Sequence, residues 1–260
     1  MPVRRALVTG ASSGIGREFA RQLARHGYSV TGVARREDKL RELIGELPGD
    51  QQHHFLVADL AQEAGVRAVT ERLSTAHFDL LVNSAGYSVF EPFYLSELAQ
   101  QQNILKLNCA AVTALAHAFL QQARRGDALV NLASVVSYLP TPAQPMYSAS
   151  KAFVAALSEC LWVEQKNRGV YVMGLCPGVT ATEFISTASG GASDGANLPS
   201  ALTQSAEEVV AEALDALSRR SKAIVVTGRA NRALLWMPRL LSRHRLIRTL
   251  AVAGDPERML

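Results

Sequence analysis

Cysteine is scarce in this sequence, and it shows no pairing pattern. Only Cys109, Cys160 and Cys176 occur among 260 residues, and none of them forms a Cys-x-x-Cys spacing. An odd number of widely spaced cysteines excludes a small disulfide-stabilised domain. It predicts reduced thiols in a cytoplasmic protein.

Long hydrophobic runs are missing too. No run of eighteen apolar residues lacks a charge, so the sequence predicts no transmembrane helix. The apolar stretch Ala6–Val8 is too short to be the core of a signal peptide. Disorder is also excluded, because 48% of the residues are hydrophobic and only 19% are charged, which is enough apolar material for a core.

Positive charge is concentrated at one end of the chain. The formal net charge is +4, yet residues 229–260 alone carry +5, from seven arginines against Asp255 and Glu257. The rest of the chain is therefore nearly neutral, at −1. Because the main body has no basic excess, we expect no nucleic acid partner.

Short apolar runs alternate with longer helical ones along most of the chain. The predicted strands are Ala6–Val8, Ser29–Ala34, His54–Val57, Leu80–Asn83, Ala128–Ala133, Val170–Cys176 and Ala223–Val226. The predicted helices are Gly14–His26, Glu37–Glu46, Leu98–Ala123, Met146–Arg168 and Ser205–Ser218, the last beginning with a Ser-Ala-Glu-Glu capping pattern. Repeated strand–helix alternation with continuously apolar strands is typical of a parallel sheet covered on both faces. We predict an α/β fold with a Rossmann-type, doubly wound parallel sheet of about seven strands over residues 1–228.

One segment interrupts this alternation. Residues Ser186–Ser200 are rich in serine, glycine and alanine, a composition that predicts a surface loop. The loop is either a tolerated insertion or a lid over a substrate. We favour a lid, because the loop follows the end of a predicted strand, where open α/β sheets bind ligands.

A glycine-rich loop directly follows the first predicted strand and opens the first helix. It reads Thr9-Gly10-Ala11-Ser12-Ser13-Gly14-Ile15-Gly16, with the spacing Gly-x-x-x-Gly-x-Gly. Glycine lets the backbone approach a pyrophosphate closely, and the helix N-terminus supplies unpaired N–H groups. The strand–loop–helix context favours dinucleotide binding over a plain turn. The candidate cofactor-binding residues here are Gly10, Ser12, Ser13, Gly14, Ile15 and Gly16.

The end of the second strand indicates which dinucleotide binds. Sites for NAD usually carry an acidic residue at this point, but the strand ends in Ala34 and is followed by Arg35 and Arg36. A guanidinium group matches a ribose 2′-phosphate. We therefore predict NADP(H) rather than NAD(H). The alternative is that both arginines are only solvated charges at a helix start.

A hydroxyl, a phenol and an ammonium form the candidate catalytic group. Tyr147 and Lys151 share one face of a predicted helix, and a nearby cation lowers the pKa of a phenol from its usual value of about 10. Ser134 follows a predicted strand and can hydrogen-bond a substrate carbonyl. Asn108 lies within a long predicted helix. It is either a surface residue or one that disturbs the helix and holds a water reaching Lys151.

Together these residues resemble the short-chain dehydrogenase/reductase family. The shared pattern is Thr9-Gly10-x-x-x-Gly14-x-Gly16, Asn83-Ser84-Ala85-Gly86, Asn108, Ser134, Tyr147-x-x-x-Lys151 and Pro177-Gly178. Its order and spacing match the family's single-domain branch over roughly residues 3–228. One position departs, because the family's Asn-Asn-Ala-Gly has Ser84 here. A serine at this position should preserve the structural role of the motif at the end of the sheet.

The resemblance implies a role for each matching residue. Ser134 would polarise the carbonyl, Tyr147 would transfer the proton, Lys151 would contact the nicotinamide ribose and lower the tyrosine pKa, and Asn108 would support a proton-relay water. Further cofactor contacts would come from Asp59 and Leu60 at the adenine, Asn83, Ala85 and Gly86 at the adenosine ribose, and Pro177, Gly178, Thr180 and Thr182 at the nicotinamide amide. The pro-S face would donate the hydride. No metal ligand set is expected.

These features predict an NADP(H)-dependent reductase or dehydrogenase that interconverts a carbonyl and a secondary alcohol. The small and apolar residues around Thr180–Thr203 favour a hydrophobic ketone, an aldehyde or a 3-oxoacyl compound. One alternative is a non-catalytic NADP(H)-sensing regulator, which would not need the proton-transfer residues. Another is a sugar-nucleotide epimerase or dehydratase, but too few residues follow Lys151 for its substrate domain. The helices Leu98–Ala123 and Met146–Arg168 are expected to form a homodimer or homotetramer interface.

The basic extension over residues 229–260 leaves three interpretations open. Apolar residues alternate with arginines, and Pro238 should divide the segment into two short helices. The segment could pack on the core or on another subunit. It could instead form a hydrophobic wall for a bulky substrate, or lie on a membrane surface. Of the three, we favour packing.

Overall fold

Seven parallel strands form the central sheet in the computed structural model, which describes residues 3–139, 141, 144–182, 184, 188, 203–236 and 242–253. The strands are β1 (Arg5–Thr9), β2 (Ser29–Ala34), β3 (His54–Val57), β4 (Leu80–Asn83), β5 (Ala128–Leu132), β6 (Tyr171–Cys176) and β9 (Ile224–Val226). They lie in the sheet in the order β3-β2-β1-β4-β5-β6-β9. A short parallel pair, β7 (Val179–Ala181) and β8 (Thr203–Ser205), stands apart. The predicted doubly wound α/β fold is confirmed.

Helices connect the strands. They are α1 (Gly14–Arg25), α2 (Glu37–Glu46), α3 (Glu63–Thr75), α4 (Leu98–Leu105), α5 (Val112–Gln122), α6 (Pro145–Gln165), α7 (Ala206–Arg219), α8 (Arg229–Leu234) and α9 (Arg243–Ala253). The predicted capping pattern is confirmed at α7. There the Ser205 hydroxyl accepts from the Glu208 N–H at 3.1 Å, and the Glu208 carboxylate accepts from the Ser205 N–H at 2.9 Å.

The core lies on both faces of the sheet, because successive strand residues point to opposite sides. Ala6 and Val8 of β1 belong to one apolar cluster, with Phe19 of α1 and Val209 of α7. Leu7, between them in the sequence, belongs to the other cluster, which contains residues of α3 and α5. The sheet is therefore sandwiched between two helical layers.

Two elements, helix α3 and the β7–β8 pair, had no predicted counterpart. The predicted helix Leu98–Ala123 is continuous, but residues Lys106–Ala111 form a π-helical segment between α4 and α5. By length and composition, the stretch Leu98–Gln122 could cross a bilayer, although the sequence predicted no such helix. Its inner face, including Leu115 and Phe119, is buried in the protein core, as expected for a helix that covers a sheet.

The C-terminal extension begins against the sheet. Asn231 of α8 is 2% exposed, and Leu246 of α9 is 3% exposed. The break predicted at Pro238 lies outside the described residues, as does most of the predicted lid Ser186–Ser200, of which only Ala188 is described.

Candidate active site

The candidate site lies at the carboxyl edge of β1, β4, β5 and β6. From β1 the chain builds the sheet toward β2 and β3, and it then returns to add β4 on the other side. The edge between β1 and β4 is therefore the topological switch point, where open α/β sheets bind ligands. Most of the predicted site segments follow one of these four strands or lie at the start of α6. The exceptions are Arg35 and Arg36 after β2, Asp59 and Leu60 after β3, and Asn108 in the π-helical segment.

The glycine loop packs against the end of β4 more closely than any side chain would allow. Gly10 has φ +67°, and a Cβ at this position would lie 2.9 Å from the Ala85 amide nitrogen. A Cβ at Gly16 would lie 2.4 Å from the Gly10 carbonyl oxygen. This packing leaves the N-terminus of α1 open toward the crevice, in the geometry that receives a pyrophosphate.

Thr9 holds the two halves of this crevice together. Its buried hydroxyl accepts hydrogen bonds from the Ser84 and Ala85 N–H groups, both at 3.0 Å. It thereby fixes the segment after β4 against the glycine loop. The sequence identified Thr9 as part of a motif but not this positioning role, because its partners lie 75 and 76 residues away.

Ser12 and Arg36 meet at the outer end of the glycine loop. The Arg36 guanidinium donates to the Ser12 hydroxyl at 3.3 Å. Arg35 and Arg36 are exposed, whereas Arg17 nearby is engaged with Glu42 and Glu46 at 2.7 and 3.0 Å. A hydroxyl and guanidinium groups at this point suit a ribose 2′-phosphate.

The predicted site residues at the carboxyl ends of β3 and β4 differ in their surroundings. Asp59 is half-buried, and its Oδ1 accepts from the Ala61 N–H at 3.0 Å; Leu60 beside it is 5% exposed. The Asn83 side chain is buried and donates to Asn131 of β5 at 3.0 Å, so it joins β4 to β5.

Ser134, Tyr147 and Lys151 come together where β5 ends and α6 begins. The Lys151 ammonium lies 5.6 Å from the centroid of the Tyr147 ring and donates to the Leu132 carbonyl at 2.7 Å. The Ser134 side chain is the hydrogen-bond partner of the Tyr147 phenol. A hydroxyl, a phenol and an ammonium therefore share one small volume.

The electrostatics of this group differ from the sequence expectation. Burial raises the pKa of Tyr147 above its ordinary value, and the hydrogen bond with Ser134 opposes this by less. Burial also lowers the pKa of Lys151 to about 8. The lowering of the tyrosine pKa that was expected from Lys151 is not seen, because burial sets the direction of the shift. The site therefore keeps the phenol protonated.

Asn108 lies in the π-helical segment and is 1% exposed, so its interpretation as a surface residue is wrong. The predicted disturbance of the helix is confirmed. Its amide accepts from the Tyr87 N–H at 3.0 Å and donates to the Tyr87 carbonyl at 2.9 Å and to the Ser150 hydroxyl at 3.0 Å. A Cβ at Gly86 would lie 3.5 Å from the Lys151 ammonium and 3.6 Å from the Asn108 amide oxygen. Gly86 thus stands between these two side chains.

The segment after β6 closes the opposite wall. Pro177 and Thr180 are buried, and Thr182 is half-buried with its side chain 3.2 Å from where a Gly14 Cβ would lie. Thr182 therefore faces the glycine loop across the crevice. Gly178 packs on the buried amide of Asn231, a residue of the extension that the sequence did not single out. No local pattern marks Asn231, since its contact is with a distant strand end.

Two described residues beyond β7 contact the segments that form the site. The Phe184 ring lies 5.5 Å from the Tyr147 ring, centroid to centroid. The Phe90 N–H donates to the carbonyl of the buried Ala188 at 3.0 Å. Phe184 therefore lies against Tyr147, whereas Ala188 lies against the segment after β4. Phe184 was not among the predicted site residues.

A separate acidic and histidine cluster lies at the opposite edge of the sheet. His77, Asp79 and Asp127 bring three potential metal-ligand atoms within 4.8 Å of one another. Both carboxylates already accept backbone N–H groups, from Arg5 at 2.7 Å and from Arg124 at 2.6 Å. They therefore serve to anchor strand starts, far from the candidate active site.

Comparison with known proteins agrees with this geometry. The family model for short chain dehydrogenases matches residues 4–192. Sulfoacetaldehyde reductase 2 of Chromohalobacter salexigens is 35% identical over 191 residues, which are 71% of this chain and 76% of that protein. The human very-long-chain 3-oxoacyl-CoA reductase is 30% identical over 69% of this chain and 60% of its own length.

A solved structure shares almost the whole fold. A short-chain dehydrogenase from Sphingobium yanoikuyae in complex with NADPH superposes with a TM-score of 0.81 at 31% identity, covering 91% of this chain and 93% of that one. The family model, the sequence relatives and the fold all agree with the motifs at the crevice. The chain therefore belongs to the short-chain dehydrogenase family.

Proposed function

We propose that this protein is an NADP(H)-dependent oxidoreductase that interconverts a carbonyl compound and a secondary alcohol. The observation that carries the proposal is the meeting of Ser134, Tyr147 and Lys151 at the switch-point edge of the sheet, beside the glycine loop. A regulator that only senses the dinucleotide would have no need of this proton-transfer set.

NADP(H) fits the residues present. The close packing of Gly10 and Gly16 leaves a cradle that a Cβ would fill, and Arg36 with Ser12 suits the 2′-phosphate. The S. yanoikuyae structure, which shares this fold, holds NADPH. When bound, the cofactor supplies or accepts the hydride. Asp59, Ala85 and Gly86 would border its adenosine half, and Pro177, Gly178, Thr180 and Thr182 its nicotinamide half.

The chain's own residues then handle the oxygen of the substrate. Ser134 donates a hydrogen bond that orients and polarises the carbonyl. Tyr147, kept protonated by its surroundings, delivers its proton to the oxygen as charge develops there. Lys151 stabilises the phenolate that this leaves, and Asn108 fixes the segment that carries Gly86 beside it. In the direction of alcohol oxidation each of these steps runs in reverse.

The proposed substrate is a hydrophobic ketone, an aldehyde or a 3-oxoacyl compound. The Phe184 ring lies against the Tyr147 ring, so an apolar side chain borders the catalytic group. The names of two relatives, a 3-oxoacyl-CoA reductase and a sulfoacetaldehyde reductase, fit carbonyl reduction.

Self-association and a cytoplasmic location belong to the same proposal. The outer face of α4, the π-helical segment and α6 forms an apolar groove that includes Leu105 and Phe153, each 42% exposed. Pairing of this face between two copies would bury these side chains and give a homodimer or homotetramer. The proposed cytoplasmic location is supported by the three cysteines, which are all free thiols, as in proteins of a reducing compartment.

The test is a screen for NADPH consumption with ketones, aldehydes and 3-oxoacyl thioesters, run on the protein and on Tyr147→Phe. We expect Tyr147→Phe to lose turnover by at least about 10³-fold while still binding NADPH. Tyr28→Phe is the matched control, since this half-buried tyrosine keeps its ring under Arg4 and lies away from the crevice. Full activity in Tyr147→Phe would overturn the proposal.

A further inference from the structure

The amino edge of the sheet brings together three side chains that the sequence did not single out, because they come from distant parts of the chain. They are His77, Asp79 and Asp127. Asp79 directly precedes β4 and Asp127 directly precedes β5, and these two strands are neighbours in the sheet. His77 lies in the segment between α3 and β4. The cluster is therefore a product of the fold, at the edge opposite to the candidate active site.

Each carboxylate of this cluster uses one oxygen to hold the backbone and directs the other toward the imidazole. Oδ2 of Asp79 accepts from the Arg5 N–H at 2.7 Å, and Oδ2 of Asp127 accepts from the Arg124 N–H at 2.6 Å. Oδ1 of Asp79 lies 3.8 Å from His77 Nε2, and Oδ1 of Asp127 lies 3.4 Å from it. The backbone hydrogen bonds thereby fix the orientation of both carboxylates, as outer-shell partners do for the ligands of a metal ion.

The inward oxygen of Asp127 has too few partners for its burial. The Asp127 side chain is 5% exposed, and a carboxylate oxygen so far removed from water needs a hydrogen bond or a cation. Among the residues that the structure describes, none donates a hydrogen bond to this Oδ1, and its one ionic neighbour is the His77 imidazole. The Oδ1 of Asp79 brings a second negative charge within 4.8 Å. Two carboxylates this close repel each other, so the arrangement favours a cation between them.

The spacing and chemistry of the three ligand atoms suit zinc. His77 Nε2 and the two Oδ1 atoms all lie within 4.8 Å of one another. A point equidistant from three atoms at these separations lies about 2.0–2.4 Å from each, and zinc bonds to imidazole nitrogen and carboxylate oxygen are about 2.0–2.2 Å long. Ca²⁺ and Mg²⁺ prefer larger sets of oxygen ligands without an imidazole. Because the His77 and Asp79 side chains are 26% and 32% exposed, a water molecule can take the fourth position on zinc.

We propose that His77, Asp79 and Asp127 form a binding site for one zinc ion. The ion would join the segment after α3 to the starts of β4 and β5, and the Asp79 carboxylate already holds the start of β1 through the Arg5 N–H. Because this set of ligands is assembled only by folding, zinc bound here adds to the stability of the folded protein. The ion takes no part in the proposed reaction, since its ligands and Tyr147 lie at opposite edges of the sheet.

Calorimetric titration of the chelator-treated protein with zinc chloride tests the site. We expect one ion per chain and, at a zinc concentration about ten times the Kd, a rise in Tm of about 3–6 °C. His77→Ala removes a ligand from a half-buried position and should weaken zinc binding by at least about 10-fold, the loss that even an outer-shell change causes. Asp127→Asn should do the same while keeping an oxygen for the Arg124 N–H, which preserves the start of β5.

His54→Ala is the matched control, because this exposed histidine at the start of β3 lies outside the cluster. It should leave zinc binding unchanged. Titration with Co²⁺ gives a second measurement on the unaltered protein: nitrogen and oxygen ligands give only weak visible bands, whereas thiolate ligands add an intense band in the near ultraviolet. We expect the weak bands, and their loss when zinc is added. Zinc affinity that is unchanged in His77→Ala, a Co²⁺ spectrum dominated by thiolate bands, or no rise in Tm with zinc would each overturn the proposal.

Discussion

Asn231 packs directly against Gly178: a Cβ at position 178 would lie 2.3 Å from the Asn231 amide nitrogen. Asn231 is fixed in turn by donating to the Thr227 carbonyl at 3.0 Å. The first helix of the basic extension therefore supports the strand end that is proposed to frame the nicotinamide. The first turn of the extension therefore contacts the candidate site directly.

This contact predicts a coupled pair of substitutions. Gly178→Ala should destabilise the protein by about 1–3 kcal/mol through overpacking, and should raise the KM for NADPH. In the background of Asn231→Ala the same change should cost less than about 1 kcal/mol, because the colliding amide is gone. Urea denaturation of the four proteins in this cycle measures the coupling. Strictly additive effects would show that the two residues do not act on each other.

Thr9 offers a second positioning test. Thr9→Val keeps the shape of the side chain but removes the acceptor of the Ala85 N–H group, whereas the Ser84 N–H keeps the Val82 carbonyl at 3.2 Å. We expect a loss of stability of about 2 kcal/mol and weaker NADPH binding, since unsatisfied buried donors are costly. Thr9→Ser retains the hydroxyl and should restore most of the binding measured by fluorescence titration. If the valine variant binds NADPH as the parent does, Thr9 has no positioning role.

How far the sequence predicts this protein depends on how local each signal is. The glycine loop, the Tyr147–Lys151 spacing and the Ser205–Glu208 capping box each depend on neighbours within one helical turn or loop, and all were visible in the sequence. The contacts of Thr9 with Ala85 and of Gly178 with Asn231 join distant strand ends, and only the assembled sheet brings them together. The pKa of Tyr147 could not be read from spacing either, because its direction is set by burial.

Cofactor preference is expected to depend on Arg36. Arg36→Asp replaces the guanidinium beside Ser12 with a carboxylate, which repels a 2′-phosphate. The preference for NADPH over NADH in kcat/KM should fall by about 10- to 100-fold. Arg35→Asp should act in the same direction. Arg41→Asp makes the same charge change on α2, where Arg41 pairs with Glu37, and should leave the preference unchanged. An unaltered preference in Arg36→Asp would contradict the 2′-phosphate assignment.

The lowered pKa of Lys151 predicts an alkaline limit to carbonyl reduction. Tyr147 stays protonated across the working range, because its pKa is raised, whereas Lys151 loses its charge as the pH rises through about 8. The kcat/KM for reduction, which reports the free enzyme, should therefore fall above about pH 8. Lys151→Arg keeps its charge at all these pH values and should remove this fall while lowering the activity overall. A parent profile that is flat to pH 10 would contradict the assignment.

The second half of the extension allows the packing interpretation to be separated from the membrane-surface one. Leu246 and Ile247 are neighbours on α9, but Leu246 is 3% exposed and Ile247 is 38% exposed. If α9 packs on the protein, Leu246→Ala should cost about 2–3 kcal/mol of unfolding free energy, because it leaves a cavity, and Ile247→Ala should cost well under 1 kcal/mol.

A helix that lies on anionic lipid would instead use exposed side chains such as Ile247, Arg245 and Arg248, and their removal would weaken vesicle binding. We expect the large stability difference between the two neighbours and no binding of the parent protein to phosphatidylserine vesicles in a flotation assay. Equal stability costs together with vesicle binding lost in Ile247→Ala would assign α9 to the membrane surface.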